Sequence, residues 1–208
     1  MLTFETKAWN SGKTCVAGID EAGRGPLAGS VVSTALVFDP EYIKEAIHKE
    51  LKGLTDSKKL SEKKRDHFYE ILSNTGCVRY STAESSAKEV DDINILKATH
   101  REMKRAAEGL KQKADLLLVD GLKVPNLPGP ALFIVQGDSK SISIAAASVI
   151  AKVTRDKQMC ALAKKYPVYG FERHKGYGTK EHLEALRKFG PCPAHRFSFK
   201  RVSNQELF

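Results

Sequence analysis

The sequence predicts a mixed α/β domain, with one sheet whose strands pair both ways and helices on its faces. Three observations predict it. Two runs rich in apolar and β-branched residues, 14–20 and 29–38, are joined by a short Gly-Arg-Gly-Pro segment, which favours antiparallel neighbours. Asp115-Leu-Leu-Leu-Val-Asp120 is apolar almost throughout, as a parallel strand covered on both faces requires. Helical patterns separate the later strands, so the order reads β-β-α-β-α-β-β-α-α. The 208 residues suffice for one substantial core. We therefore expect a single domain over 1–208, of which about 180–208 forms a basic helical and tail extension.

The first strand is expected over 14–20 and the second over 29–38, ended by Asp39-Pro40. A short helix through Ile47 leads into the polar loop Leu54-Thr55-Asp56-Ser57-Lys58-Lys59-Leu60. Ser61 is placed to cap the next helix, with Glu62 in its first turn and Phe68, Ile71 and Leu72 on one face. Gly76 stops it, and a third strand follows over 77–83. Residues 86–111 read as one helix, with Leu96, Thr99, Met103, Ala106 and Leu110 at spacings of three or four. The fourth strand is 115–120, a Pro/Gly loop occupies 121–131, and the fifth strand is 132–135. A long helix is expected over about 143–164, with Ala145-Ala146-Ala147 allowing close approach to the sheet. Thr179 can cap a helix through Phe189, ended by Gly190-Pro191. Residues 192–208 read as a basic tail, with Arg196, Lys200 and Arg201 prominent and Phe197 and Phe199 interleaved.

The apolar run Val16–Ile19 leads straight into Asp20-Glu21, and a Gly-Arg-Gly turn follows. Asp120 and Asp138 each end an apolar run of their own. Four acids delivered to strand ends suggest an acidic, metal-binding active site. Asp120 before Gly121 also fits a plain turn, and Asp138 also fits a helix cap near residue 140. Adjacent strand residues point to opposite faces. Asp20 and Glu21 therefore share a site only if the strand ends or twists between them, or if the longer glutamate curls back.

The net charge is +9, and residues 151–208 supply most of it, with 13 basic against 5 acidic side chains. An acidic centre with basic flanks suits divalent ions and a polyanion together. With 41% apolar and 28% charged residues, the composition is that of a globular protein. No stretch approaches the roughly 20 apolar residues of a membrane span. Residues 1–13 lack the apolar core of a secretory signal, so cytoplasm is the default. Cys15, Cys77, Cys160 and Cys192 form no CxxC pair and are expected as free thiols.

Together these motifs resemble the bacterial ribonuclease HII family. The matching segments are Asp20-Glu21-Ala22-Gly23-Arg24-Gly25-Pro26-Leu27-Ala28-Gly29, Asp56-Ser57-Lys58-Lys59-Leu60, Val119-Asp120-Gly121 and Gly137-Asp138-Ser139-Lys140. The helix 144–156 and His174-Lys175-Gly176-Tyr177-Gly178-Thr179 also match. The motifs are ordered from residue 16 to 179 and are jointly specific. The related ribonuclease HIII usually has Lys where this chain has Arg24, and usually carries an extra N-terminal domain. Only about 13 residues precede the first strand here.

The resemblance implies an RNase H-like fold, with a five-stranded mixed sheet flanked by helices and a C-terminal helical extension. It implies hydrolysis of RNA in RNA–DNA hybrids and incision 5′ of single ribonucleotides embedded in duplex DNA, leaving 5′-phosphate and 3′-hydroxyl ends. It makes Asp20, Glu21, Asp120 and Asp138 the catalytic metal ligands for Mn²⁺ or Mg²⁺, as a two-metal site in the substrate complex. It makes Gly23, Arg24 and Gly25 readers of the ribose 2′-hydroxyl and Tyr177 a stacking partner for the adjacent sugar. Lys58, Lys59, Lys140 and Lys175 become phosphate contacts, although solvated surface is the alternative for each. Ser139 and Ser143, near a helix start, could offer free N–H groups to phosphate. Asp156 and His174 are left outside the site. A monomer is expected. A sliding-clamp contact through Gln205-Glu-Leu-Phe208 is suggested by composition alone. The rival classes are a DNA nuclease of the same fold type and a non-catalytic hybrid-binding protein.

Overall fold

The protein is described here by a computed structural model in which residues 1–203 are placed. The segment 205–208, considered above for a clamp contact, lies outside the described residues. Along the chain the elements are α1 (Thr3–Asn10), β1 (Val16–Ala22), β2 (Val31–Phe38), α2 (Pro40–Ala46), α3 (Glu62–Asn74) and β3 (Val78–Ser85). They continue with α4 (Ala87–Ile93), α5 (Ile95–Glu108), β4 (Leu116–Asp120), β5 (Ala131–Ile134) and α6 (Ile142–Lys165). The short helix α7 (Phe171–His174), α8 (Lys180–Phe189) and α9 (Lys200–Ser203) complete it.

The five strands form one mixed sheet in the order β3-β2-β1-β4-β5. β1 runs antiparallel to β2 and parallel to β4, and β4 runs parallel to β5. Residues opposite one another share a face. Ala17, Ile19, Ala35, Val37, Leu117 and Val119 accordingly pack with Met103 and Ala106 of α5 on one side. Leu36 and Phe38 pack with Ala145, Ala146 and Val149 of α6 on the other. A Cβ added at Gly18 would fall on the backbone of Ser143, so this glycine lets α6 lie directly on β1. The alanine run at 145–147 is fully buried, which completes the close approach.

Caps explain where several helices begin. Asp39 accepts from Glu41 and Tyr42 N–H ahead of Pro40, and Ser61 and Thr179 cap α3 and α8 as expected. The expected single helix 86–111 is instead two. Asn94, at φ 67°, breaks it, and its side chain caps α5 by accepting the Lys97 N–H. Ser86 and Glu89 form a reciprocal capping box that starts α4. Both signals stand in the sequence as Ser-x-x-Glu and a lone Asn. The apolar periodicity across them masks the break, and Leu96, counted on the buried face, is half exposed.

Helix α1 was not foreseen. Its buried Glu5 accepts the Ser141 hydroxyl at 2.6 Å and the Ser143 N–H at 3.0 Å, so it closes the first turn of α6. The Ser143 amide is therefore taken by protein. Ser141, rather than Asp138, is the N-cap of α6.

The segment after α8 does not behave as a basic tail at Arg196. Residues His195 and Arg196 are buried at 1% and 0% exposure, and Ala28 bridges His195 in antiparallel fashion. Lys200 and Arg201 are exposed on α9. The four cysteines are free, as expected.

Candidate active site

The site forms where β1 and β4 end side by side. The parallel register pairs Ile19 with Val119, so Asp20 and Asp120 stand at the same level one residue further on. Alternation puts both on the α6 side of the sheet. β1 does not end early: pairing with β2 continues through Glu21 opposite Ser33 and Ala22 opposite Val32. Only then does Gly23, at φ 95°, turn the chain. Glu21 therefore faces the α5 side, where Leu96, Thr99 and His100 line a groove with it. Being at the strand end, it also borders the cleft that contains Asp20.

Asp20 is 6% exposed and its Oδ1 accepts the Glu21 N–H at 2.7 Å. Its carboxyl is raised well above the usual range, chiefly by burial, then by the charges of Glu21, Asp120 and Asp138. Asp120 Oδ1 accepts the Gly137 N–H at 2.6 Å. This bond ties β4 to the 3₁₀ turn Gly137–Ser139, which carries Asp138. Asp138 is 8% exposed and is also raised, by burial and then by Asp120 and Asp56. Glu21 pairs with Arg24 at 3.3 Å. The four acids are thus electrostatic neighbours. Among the described residues, no three His, Cys, Asp or Glu side chains yet close around a point where a metal would sit. An all-oxygen set, buried at Asp20 and Asp138, half-buried at Glu21 and Asp120 and burdened by mutual repulsion, nonetheless has the donor chemistry that suits a hard divalent cation.

The cleft has a volume of about 430 Å³, and Gly23, Arg24, Gly25, Lys58 and Tyr177 line it with Asp20 and Glu21. Burial opposes the Lys58 ammonium, but Asp20, Asp56, Asp138 and Glu21 outweigh it and leave the lysine raised. Tyr177 is 43% exposed, and a Cβ placed on Gly25 would stand 3.8 Å from its ring. Lys59 donates to Ser139 Oγ at 2.9 Å, beside Asp138. Two other lysines lead elsewhere. Lys140 donates to the Val135 carbonyl at 2.6 Å. Lys175 donates to the Glu172 carbonyl at 2.7 Å and meets Cys160 Sγ at 3.5 Å, in a groove between α3 and α6.

Two charged cleft residues were not singled out from the sequence. Lys152 and Arg155 of α6 line the cleft. Lys152 pairs with Asp156 at 2.6 Å, which gives Asp156 a partner at the cleft edge. Ser148, Lys152 and Arg155 recur at helical spacing, and Ser148 Oγ accepts the Ser57 N–H at 3.2 Å. That polar stripe, which begins within the apolar first half of the helix, was the available signal.

Behind Tyr177 lie His174, His182 and His195, all buried. A carbonyl only accepts, so His182 Nδ1 donates to Tyr177 O at 2.9 Å. His182 Nε2 then accepts from His195 Nε2 at 3.0 Å, and His195 Nδ1 accepts the Cys192 N–H at 2.9 Å. The relay is complete only with both rings neutral. Burial lowers both to about 4. His174 donates to Tyr169 O at 2.7 Å and accepts the Gly176 N–H at 3.2 Å, so it holds the loop rather than facing the acids.

Comparison with known proteins gives the family and the fold. The family described as Ribonuclease HII matches residues 17–202. The chain belongs to the ribonuclease HII family. Ribonuclease HII of Caldicellulosiruptor bescii is 49% identical over 94% of this chain and 91% of its own length. That of Neisseria meningitidis serogroup C is 51% identical over 90% and 93%. Among solved structures, ribonuclease H2 from Pyrococcus horikoshii superposes with a TM-score of 0.72 at 26% identity, covering 92% of this chain and 97% of that one. A Bst-RNase HIII structure in complex with Mn²⁺ has a TM-score of 0.69 at 15% identity, over 92% and 68%, and shares the fold. The ribonuclease HII chain is thus an RNase H-type endonuclease with the α/β RNase H-like fold. No helix among its described residues is long and apolar enough to cross a membrane.

Proposed function

We propose that this ribonuclease HII hydrolyses RNA in RNA–DNA hybrids and incises 5′ of single ribonucleotides embedded in duplex DNA. The products carry a 5′-phosphate on the ribonucleotide and a 3′-hydroxyl upstream. One observation carries the reading. A buried Asp20 among Glu21, Asp120 and Asp138 shares one cleft with Gly23-Arg24-Gly25 and Tyr177.

In this reading Asp20, Glu21, Asp120 and Asp138 hold divalent ions, Mg²⁺ or Mn²⁺. Such ions supply the positive charge that activates the attacking water and stabilises the leaving 3′ oxygen. The pair between Glu21 and half-exposed Arg24 is a single 3.3 Å contact, which Glu21 gives up when it turns to a ligand. Lys58 sits where a phosphate beside the acids would need a counter-charge. Lys59 and Ser139 extend that contact along the strand, and Lys140 joins it only by leaving its bond to the Val135 carbonyl. Lys175 serves the backbone only by leaving its bond to Glu172. The glycine rim reads the ribose hydroxyl, and Tyr177 stacks on the sugar next to it, so base sequence matters little. The protein works in the cytoplasm as a monomer, with the basic segment from α8 to α9 packed into the domain rather than standing off as a tail.

The decisive assay offers duplex DNA with one internal ribonucleotide, with and without Mg²⁺ or Mn²⁺, and maps the cut. A single metal-dependent cut on the 5′ side is expected. Cleavage of an all-DNA duplex at a similar rate would overturn the reading.

A further inference from the structure

The guanidinium of Arg196 is fully buried, in the segment read from sequence as a basic tail. It has five N–H donors. Nε donates to Gly29 O at 3.1 Å, and Nη1 donates to Arg24 O at 3.0 Å and Pro26 O at 2.8 Å. Nη2 donates to Gly23 O at 2.6 Å and Ser30 O at 3.1 Å. Every donor therefore meets a backbone carbonyl of the turn that follows β1. Burial lowers the guanidinium, helped by the charge of Arg155, to about 9, so it remains a cation at neutral pH.

Arg155 of α6 works from the other side of the same turn. It donates to Ser30 O at 2.9 Å, Ala28 O at 3.0 Å and Lys175 O at 3.0 Å. The Leu27 N–H donates to Gly176 O at 2.8 Å. The turn at 23–30 and the loop bearing Tyr177 are thereby fastened to each other as well as to the core.

The peptide bonds here are trans, so a carbonyl and the N–H of the following residue point in opposite directions. The Gly23 and Arg24 carbonyls point inward at Arg196. The N–H groups of Arg24 and Gly25 must therefore point away from it, and these residues are exposed and form the wall of the cleft. Among the described residues, no backbone carbonyl takes up either N–H. A buried cation behind the turn also polarises its carbonyls, which makes the outward amides better donors.

We propose that Arg196 is a positioning residue that sets ribose specificity, by turning the Arg24 and Gly25 amides outward as a fixed donor rim. The proposal rests on the reading of the cleft as a ribonucleotide site. Arg196 touches no substrate. It acts through five carbonyls, and no side chain with fewer than five N–H donors can hold them all.

The test compares wild type with Arg196→Lys, which keeps the charge and loses the fork. Three readouts are taken: amide exchange at residues 23–30, kcat and KM on duplex DNA with one ribonucleotide, and binding of that duplex without divalent ions. In the variant we expect amide exchange at 23–30 to rise about tenfold and kcat to fall about tenfold or more, with binding changed by less than about threefold. Partial rescue of Arg196→Ala by added guanidinium ion is the companion expectation. A folded Arg196→Lys with wild-type exchange and wild-type kcat overturns the proposal. If the variants do not fold, wild type decides. Its Arg24 and Gly25 amide resonances should shift with the one-ribonucleotide duplex and not with all-DNA duplex, and unmoved resonances overturn the proposal. A wild type that ignores the embedded ribonucleotide sinks the proposed function instead, and the exchange comparison still reports on the Arg196 clamp.

Discussion

Asp120 accepts the Gly137 N–H at 2.6 Å, so the acid at the end of β4 is bonded to the turn that carries the next acid, Asp138. A Cβ on Gly137 would stand 2.6 Å from Ile144 Cδ1 and 3.2 Å from that same Asp120 oxygen. Gly137→Ala should therefore move Asp120 while leaving the sheet in place. We expect a loss of roughly 10- to 100-fold in kcat on a one-ribonucleotide duplex, since small misplacements of reacting groups cost that much. Far-UV circular dichroism should be retained. Wild-type turnover in the variant would remove this bond from the site.

Asp20→Asn should abolish cleavage and retain substrate binding. It should also stabilise the protein in chelator. The folded state holds the Asp20 carboxyl well above its normal value of 3.8, so ionising it costs stability. That cost is absent below the normal value, grows as pH rises from the normal toward the raised value, and is full above the raised value. The amide keeps the acceptor for the Glu21 N–H and carries no charge. The melting temperature of the variant should exceed wild type by a few degrees near neutral pH, with about 1 kcal/mol shifting it 2–4 °C. The gap should narrow at acidic pH and on adding Mg²⁺. Calorimetry showing the variant less stable at every pH would contradict this.

His182 and His195 predict acid sensitivity of a different sign. Folding lowers both from 6.5 to about 4. Their contribution is complete above the unfolded value of 6.5 and declines as pH falls toward the folded value. Each histidine sets a slope of about 1.4 kcal/mol per pH unit within that window. His195→Gln should flatten the slope measured by urea unfolding between pH 6.5 and 4. An unchanged slope would mean that His195 does not carry the proton linkage.

Tyr177→Ala should reduce cleavage at a single embedded ribonucleotide more than cleavage of long hybrids. The ring is exposed beside Gly25 and supports no core cluster, so the variant should fold normally. Equal losses on both substrates, measured as kcat/KM, would remove its special role at the junction.

The alternation of apolar and acidic residues made much of the site legible. Asp20 and Asp120 follow apolar runs that form the neighbouring strands β1 and β4, and Asp138 follows β5 on the 3₁₀ turn 137–139, so the end of each run brings its acid to one end of the sheet. The caps at Ser61 and Thr179 were legible too, because a capping bond spans only three residues. The break at Asn94 was obscured by an apolar rhythm that continues across it.

The sequence by itself determined the acids, the glycine turn, the antiparallel pairing of the first two strands and the family. It did so because these are properties of short runs or of ordered motifs. Tertiary structure alone decided the rest. Register placed Asp20 level with Asp120 and left Glu21 on the α5 side. Glu5 took an amide that looked free, and Lys175 turned toward Glu172 and Cys160. Arg196 passed from a basic tail to the interior, 172 residues from the Arg24 carbonyl that it holds. A charge is exposed or buried according to what packs against it, and those neighbours come from distant parts of the chain.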